Sequence, residues 1–524
     1  MPAPRSFSLA ADSDFAHVGG DDWEAAAEGA LRGRPLSSLV TTLIDGIEVA
    51  PLYTAHRHGT DADPAGVPGA PPFARGADAA GGWGGWEVRQ IHDIRLAGTP
   101  DAVAVDTTSG VDAVTVARGW SAPNDAALLE AAVGDAAGAG TTIHLQAGMS
   151  SAHADALLEV LRRRGADPEH TRSWLGIDPI AAAASDAGID GGRLASQGDD
   201  LVRTFEAAAR STAEIIVGWP ATVPIEVDGS VLADAGSTDS TELAAMLASG
   251  VAWLRALCDA AQGPGLAIET AAPLLGFTLS AGPDPFVATA KCRALRMCWS
   301  RVLRACGMDL SGGGISLPMQ MHAVTSTAML STVDPWVNML RATTATFGAA
   351  NGGVDAITVR PFDSVIAGPA SSGLGWRVAA NTQLILRHES RIGSVIDPAG
   401  GSWYLEDLTR KTAQAAWERF RQIEAAGGIC TAMSSGEMEA SIAAERARRH
   451  ERVDAGDQVL VGVTEFVSAE AKPSDMAAAR TGDEQSRGGG EARNQVTDGA
   501  AGKLDGGLGI HRWAAPYERG TTAS

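Results

Sequence analysis

The alternation of helical and strand-like segments in Asp334–Gly428 places the strongest constraint on the fold. Helical runs at Val337–Phe347 and Leu408–Glu424 lie on either side of a short strand-like segment, Ala356–Val359, and Gly352-Gly353 interrupts the chain just before it. Parallel strands joined by crossover helices alternate in this way. The stretch therefore predicts an α/β domain.

The same alternation extends over most of the chain. Counting units gives about eight strands between Trp86 and Trp403, which fits a single (β/α)8 TIM barrel. A doubly wound open sheet also alternates strands and helices and stays the alternative. The strand candidates are Trp86–Ile94, Val103–Asp106, Ala113–Val116, Thr142–Gln146, Trp174–Pro179, Glu214–Val217, Ile225–Val227, Ala267–Leu279, Ile315–Val324 and Ala356–Val359.

Two loops of the Asp334–Gly428 stretch, Arg360–Asp363 and Asp397–Tyr404, are predicted to follow strands. Such positions face the active site or a subunit contact in α/β barrels. Within the second loop, we expect Gly400 and Gly401 to supply backbone angles with positive φ.

Composition divides the chain into three parts. Residues 1–85 form an N-terminal segment that ends in an extended arm rich in Pro and Gly, with PGAPPFARG at Pro68–Gly76. Residues 86–466 form the predicted barrel, and residues 467–524 a flexible tail with few large apolar side chains. Such a composition predicts disorder. The one cluster in the tail with side chains to pack is HRWAAPYE, His511–Glu518.

Charge and cysteine content narrow the class of protein. The formal net charge of −22 argues against nucleic-acid binding, which needs a basic face. We expect a cytoplasmic protein without a membrane segment, because no apolar run approaches the roughly 18 residues that a span needs. The five cysteines form no C-x-x-C pair and are read as reduced buried thiols, with a metal or redox site as the alternative.

Several ordered strings resemble those of the methylmalonyl-CoA mutase family, from about Leu36 to Phe466. The arm PGAPPFARG and the following Trp86-Glu87-Val88-Arg89-Gln90 are similar to the family's arm and first strand. AKCRALRMCW at Ala290–Trp299, MHAVTS at Met321–Ser326, DPAGGSWYLEDLT from Asp397 and VGVTEF up to Phe466 also resemble family strings.

The resemblance implies a chemistry and a division of labour. In the family, adenosylcobalamin supplies a radical, the acyl-CoA skeleton rearranges, and coenzyme A threads a channel along the barrel strands. The cobalt is held by a His in an Asp-x-His-x-x-Gly motif of a separate flavodoxin-like domain. None of the eleven histidines here has Asp two positions before it. We therefore expect this chain to lack a recognisable cobalamin-binding domain.

The barrel departs from the family's catalytic pattern at three places. Ala77–Gly85 contains no tyrosine where the catalytic subunit has them. Val231 stands where the family's G-Y-H-x-x-x-A-G string has its His, and Val324 stands where a Gln follows His322. A Val side chain cannot hydrogen-bond a thioester carbonyl. The resemblance thus points to the small (beta), non-catalytic subunit type of the heterodimeric enzyme.

For that subunit type, the resemblance implies a structural role in the interconversion of methylmalonyl-CoA and succinyl-CoA, a step of propionate metabolism. A large catalytic subunit would be the heterodimer partner and would bind adenosylcobalamin and the acyl-CoA. We predict no catalytic, cofactor-binding or metal-binding residue in this chain. One alternative is an acyl-CoA-binding barrel of a split mutase whose cobalamin domain is a separate chain. Another is a solitary structural or regulatory protein.

Three side chains are candidates for a residual contact with coenzyme A: His322, Arg293 and Arg296. His322 is the histidine retained in the MHAVTS string, and a satisfied core histidine is the competing interpretation. Arg293 and Arg296 lie three apart on one helical face, so they can meet a phosphate together. Pairing with buried carboxylates of the same chain is the simpler interpretation for both arginines.

Overall fold

The structure is a computed structural model of the 524-residue chain. It describes residues 18–54, 65–80, 84–122, 124–190, 198–259, 265–310, 316–367, 373–468 and 510–518. The predicted disordered linker lies outside these residues, over 469–509.

Eight parallel strands form a nearly closed barrel, as predicted. Consecutive strands pair from β3 to β5 and from β6 to β10, and β10 pairs back with β3. Between β5 and β6 the bridge Met149–Ile177 joins the edges. The barrel strands are β3 (Glu87–His92), β4 (Ala113–Val116), β5 (Thr142–Leu145), β6 (Trp174–Ile177), β7 (Val223–Asp228), β8 (Leu275–Ala281), β9 (Gln320–Thr325) and β10 (Ala356–Thr358); β1 (Thr41–Thr42) and β2 (Glu48–Val49) form a separate antiparallel hairpin.

Helices surround the barrel and alternate with its strands. The pairing of β10 with β3, the last barrel strand with the first, decides against the open sheet. They are α1 (Gly20–Leu31), α2 (Thr99–Thr108), α3 (Ala126–Gly138), α4 (Ser151–Arg163), α5 (Pro179–Asp190), α6 (Gly198–Gly218), α7 (Ser230–Asp234), α8 (Asp239–Cys258), α9 (Ile268–Ala271), α10 (Pro285–Ala305), α11 (Trp336–Asn351), α12 (Ser364–Ala367), α13 (Gly373–Leu384), α14 (Trp403–Ala425), α15 (Ile429–Ser434) and α16 (Glu437–Asp454).

Three local predictions are wrong. Val103–Asp106 lies within α2, and Glu214–Val217 lies within α6. Short apolar runs fit a strand or a buried helix equally well, and here the flanking residues continue a helix. The Asp397–Tyr404 loop follows no strand; it leads into α14, where the Ser402 side chain accepts a hydrogen bond from the backbone N–H of Leu405.

The two glycines of that loop serve different needs. Gly401 has a φ of 84°, a left-handed conformation that side chains rarely adopt, as predicted. At Gly400, a Cβ atom would lie 2.5 Å from Nη2 of Arg75. A side chain at this position would displace the Arg75 guanidinium, which pairs with Asp397.

Among the described residues, one helix has the length and composition of a membrane span, although we expected none. It is α8, in which 18 residues have a mean hydropathy of 1.2. These residues are 78% buried inside the fold, where α8 packs against α14, α6 and α10. Burial of this kind is typical of the core helix of a globular domain.

The arm follows α10 as a series of turns, and contacts with α10 fix its course. Phe73 is fully buried, and the guanidinium of Arg296 donates hydrogen bonds to the carbonyls of Phe73 (3.1 Å) and Ala74 (2.8 Å). It also reaches the carbonyl of Gly353 at 3.2 Å. The described arm, residues 65–80, turns repeatedly instead of being extended as predicted.

Part of the predicted flexible tail packs on the barrel. The backbone N–H of His511 donates to the carbonyl of Asp234, and that of Trp513 to the carbonyl of Ala328. Glu518 accepts hydrogen bonds from both terminal nitrogens of Arg512 and from the N–H of Thr332 (2.8 Å). We call residues 510–518 the tail clasp.

Candidate functional site in the barrel interior

Aromatic and charged side chains fill the barrel axis. The Trp174 ring is 2% exposed, and the guanidinium of Arg89 lies 4.5 Å from its centroid. The rings of His144 and His322 meet the indole edge to face, at 6.4 and 6.1 Å. Gly276 of β8 makes room for the indole, because a Cβ there would lie 2.6 Å from a ring carbon.

His144 contacts the backbone of Trp174 and the side chain of Glu87. Its Nδ1 accepts the N–H of Trp174 at 2.9 Å, and its Nε2 lies 3.0 Å from Oε1 of Glu87. Burial, followed by the neighbouring Arg89 cation, lowers the pKa of His144 to about 4. Burial opposes ionisation of Glu87, but Arg89 and His144 outweigh it and lower the pKa of that carboxyl. The cluster therefore holds a neutral imidazole beside an ion pair of Glu87 and Arg89.

His322, the first candidate, lies at the centre of the axis with both ring nitrogens engaged. Nδ1 is 3.2 Å from Oγ1 of Thr278, and Nε2 is 2.9 Å from Oγ1 of Thr358. Burial and then Arg89 lower the pKa of His322 well below its usual value, so the ring is neutral. These contacts are those of a satisfied core histidine, and a contact with coenzyme A stays a prediction.

Little space remains along the axis. The cavity between Arg89, Glu226, Thr278 and His322 measures about 20 Å³. A single water molecule needs about 10–15 Å³ by this measure. Small-molecule sites usually have volumes of about 300–1,000 Å³. No thioester or pantetheine arm fits this cavity without displacing several side chains.

Three buried carboxyls lie at the carboxyl ends of β6 and β7. Burial raises the pKa of Asp178 to about 7 and that of Asp228 to about 6, and it also raises the pKa of Glu226. Asp178 accepts the backbone N–H groups of Asp228 and Ile180, and Arg118 lies 3.8 Å from Asp228. Asp178 and Asp228 thus bind backbone N–H groups at this end of the barrel, and Glu226 accepts a hydrogen bond from the Thr278 hydroxyl of β8.

The tail clasp covers part of the same end. Asp234, which follows β7, accepts hydrogen bonds from the N–H of Thr327 (2.9 Å), just after β9, and lies 3.4 Å from Arg360, just after β10. The clasp binds the backbone of Asp234 and Ala328 directly. Active sites of α/β barrels open at this end. Here its loops are tied to one another and to the tail clasp.

The two candidate arginines lie outside the barrel, on α10, and the structure does not bring them together with His322. Arg293 is fully buried, with Nη2 2.7 Å from Oε1 of Glu406 and Nε 3.4 Å from Oδ1 of Asp397. Arg296 binds the three backbone carbonyls of the arm and of Gly353. Pairing with carboxylates thus describes Arg293 but not Arg296. A contact of either side chain with coenzyme A stays a prediction.

Sequence reasoning missed the side chains that fill the axis. Arg89 was noticed as part of a family string, but Trp174, Gly276 and Glu226 carried no local signal. Trp174 and Gly276 lie on strands that are remote in sequence and not adjacent in the barrel. The signal that was present is the pairing of a large aromatic residue in one strand with a glycine in another.

The two histidines of the barrel axis are not arranged to ligate cobalt. A histidine that ligates cobalt must offer a free ring nitrogen. Both histidines of the axis, His144 and His322, use their two nitrogens for internal contacts. No step of a reaction is therefore assigned to cobalamin on these residues.

Fold and interior together define an α/β barrel whose axis is occupied by its own side chains. The family model described as methylmalonyl-CoA mutase matches residues 200–494. The chain belongs to the methylmalonyl-CoA mutase family, a family of isomerases that generally depend on cobalamin.

Curated relatives cover most of the chain. The methylmalonyl-CoA mutase small subunit of Streptomyces virginiae is 37% identical over 477 residues, which is 89% of this chain and 73% of the relative. The small subunit of Propionibacterium freudenreichii subsp. shermanii is 32% identical over 502 residues, covering 91% and 74%. The methylmalonyl-CoA mutase of Rhizobium meliloti is 30% identical over 496 residues, covering 88% and 66%.

Proposed function

We propose that this chain is the structural small subunit of a heteromeric mutase that interconverts methylmalonyl-CoA and succinyl-CoA. In this proposal a large subunit carries out the chemistry and binds adenosylcobalamin and the acyl-CoA. The observation that carries the proposal is the filled barrel axis, in which Trp174, Arg89 and His322 leave about 20 Å³.

Specific contacts in the core hold the side chains that fill the axis. The indole needs the glycine at 276, and each imidazole is held by two partners. Opening a channel would expose the Arg89 and Glu87 pair and the buried indole of Trp174, and exposing apolar surface costs roughly 25 cal/mol per Å². A substrate's binding energy would have to offset that cost. We infer that the acyl-CoA is handled by the partner.

The assignment of cobalamin to the large subunit rests on two observations. No histidine of this sequence has Asp two positions before it. The axis histidines have no free ring nitrogen. A large-subunit partner also agrees with the names of the most similar relatives, which are small subunits.

Co-expression with a large mutase subunit tests the proposal. We expect one complex on gel filtration, with the cobalamin absorbance and the turnover of methylmalonyl-CoA both present in it. The large subunit expressed alone is the control, and it should be less stable or less soluble. Elution of this chain as a separate species, with full activity in the large subunit alone, would contradict a structural role.

The alternative of an acyl-CoA-binding barrel in a split mutase is not favoured, since it requires space along the axis that the side chains occupy. A solitary regulatory protein would lack the partner complex in the same experiment. The cytoplasmic location, the absence of nucleic-acid and membrane partners, and the domain boundaries at 85 and 466 stay predictions.

A further inference from the structure

A second cavity, separate from the axis, has a volume of about 230 Å³. Its walls come from the β1–β2 hairpin, the loops after β7, β8 and β9, α14, the end of α16 and the tail clasp. An engineered cavity of about 150 Å³ is enough to hold benzene. The volume therefore admits a small organic molecule.

Two arginines of α16, Arg449 and Arg452, line this cavity, and among the described residues neither has an ion-pair or hydrogen-bond partner for its side chain. Arg449 is 8% exposed, and its guanidinium stacks 4.3 Å from the ring centroid of Trp513. Within the part of the chain that the structure describes, neither Arg449 nor Arg452 forms an ion pair, and neither side chain forms a hydrogen bond. Because the two positions are three apart, both side chains lie on one helical face.

An unpaired buried guanidinium is costly, since burial penalises the charge and leaves its donors unsatisfied. Burial lowers the pKa of Arg449, although Asp239 and Asp45 nearby act in the opposite direction. The hydroxyl of Ser237, also in the cavity wall, is buried and has no hydrogen-bond partner among the described residues. The side chains of Arg449, Arg452 and Ser237 thus line the cavity with hydrogen-bond donors that have no acceptor among the described residues.

The carboxylates of the opposite wall are already engaged. Asp239 lies 2.7 Å from Nζ of Lys291, and Asp45 accepts a hydrogen bond from the Ser240 hydroxyl at 2.9 Å. Asp284 caps α10 by accepting the N–H groups of its first turn. Asp457 lies at the exposed rim. Among the described residues, none of these carboxylates forms an ion pair with Arg449 or Arg452, so an anionic ligand would supply the partner that these arginines lack.

We propose that this cavity is an oxyanion site in which Arg449, with Arg452 and the Ser237 hydroxyl, binds the carboxylate or phosphate group of a small organic molecule. The planar guanidinium binds both groups through paired hydrogen bonds. Because Trp513 stacks on Arg449 and lines the same cavity, a ligand bound there also contacts the tail clasp. The proposal does not depend on the subunit role argued above.

Isothermal titration at constant ionic strength tests the site, with inorganic phosphate and acetate as probes and chloride as the reference salt. We expect one saturable site per chain with a dissociation constant below about 1 mM for at least one probe. Binding of phosphate alone identifies a phosphate ester as the ligand class, and binding of acetate a carboxylate. Arg449→Met weakens binding at least tenfold. Arg448→Met, one residue away and exposed, leaves it unchanged.

Hydrogen–deuterium exchange of the unaltered chain gives a second readout that does not require the variants to fold. A bound anion slows exchange both in residues 510–518 and in residues 41–49, because both segments form walls of the cavity. The absence of saturable heat and of protection overturns the proposal, as does binding that survives Arg449→Met. Binding to the free chain that disappears in the complex with a large subunit also overturns it, because the arginines then serve the subunit contact.

Discussion

Substitution of Gly276 by Ala tests whether the barrel axis is packed to its limit. The added Cβ would lie 2.6, 2.7 and 2.9 Å from three ring carbons of Trp174. The tryptophan ring is rigid, so it can relieve the contact only by moving as a whole. Trp174 is held in place by Arg89 over its face and by the hydrogen bond that its Nε1 donates to Gln320. Overpacking a core in this way typically costs about 1–3 kcal/mol.

A double-mutant cycle separates this clash from a general effect of replacing a strand glycine. Trp174→Phe removes the ring carbons that the new Cβ would meet, so Gly276→Ala should cost much less in that background. Residues in direct contact show interaction energies of about 0.5–3 kcal/mol. We expect a coupling of at least about 1 kcal/mol, with the double mutant more stable than the sum of the single effects.

Urea unfolding of the purified chain, followed by circular dichroism at fixed protein concentration, measures the four stabilities. Gly218→Ala is the control, because Gly218 ends α6 and a Cβ there meets no atom within 4 Å. That substitution should be neutral or stabilising. If Gly276→Ala leaves the free energy of unfolding unchanged, or costs as much in the Trp174→Phe background as in the unaltered chain, the axis is not packed as described.

Three further predictions concern the arm, the buried acids and the tail clasp. Arg296→Met leaves the carbonyls of Phe73, Ala74 and Gly353 without their donor. We expect the free energy of unfolding to fall by about 3 kcal/mol and proteolysis of residues 65–80 to become faster. Arg304→Met, on the exposed face of α10, should change neither quantity. Burial raises the pKa of Asp178 to about 7, above its unfolded value near 3.9, so the folded state holds the proton more tightly and stability falls as pH rises through this range. Asp178→Asn should therefore remove about 2–3 kcal/mol of the stability difference between pH 5 and pH 7.5. Asp155→Asn, exposed on α4, should leave the dependence of stability on pH unaltered. An unchanged pH dependence for Asp178→Asn would contradict the raised pKa of Asp178. Glu518→Ala removes the acceptor of Arg512 and of the Thr332 N–H; we expect hydrogen exchange in residues 510–518 to accelerate at least tenfold, with Glu451→Ala as the control, and equal rates would mean that other contacts hold the clasp.

The fold could be predicted because its signals are local and repeated. The helical runs predicted at Val337–Phe347 and Leu408–Glu424 lie within α11 and α14, and the predicted count of about eight strands agrees with the barrel. The errors arose where the signal was short. Val103–Asp106 has four residues, too few for either period to show, and the helix around it became visible only with its neighbours.

The interior could be predicted only in part, because its decisive contacts are not local. Val231 and Val324 already indicated a barrel without the family's catalytic side chains. The contact of Trp174 with Gly276, however, joins strands that are not neighbours in the barrel, and the sequence around either residue does not indicate this contact. The same holds for Arg449 and Trp513, which come together only because the tail clasp returns to α16.

The Asp334–Gly428 stretch, which constrained the fold most, contributes β10 to the barrel, and its second loop binds side chains outside the axis. Asp397 in its second loop lies 3.0 Å from Nε of Arg75 in the arm and 3.4 Å from Nε of Arg293 on α10. Burial raises the pKa of Asp397, and the arginines counteract that effect. The loop thus fastens the arm to the outside of the barrel.

Calorimetric titration of the isolated chain with methylmalonyl-CoA tests the central claim most directly. A filled axis predicts no saturable heat above that of free coenzyme A, while the same titration into the complex with a large subunit gives one acyl-CoA site per heterodimer. Saturable, stoichiometric binding of methylmalonyl-CoA to this chain alone would contradict the account, because the axis would then have to open.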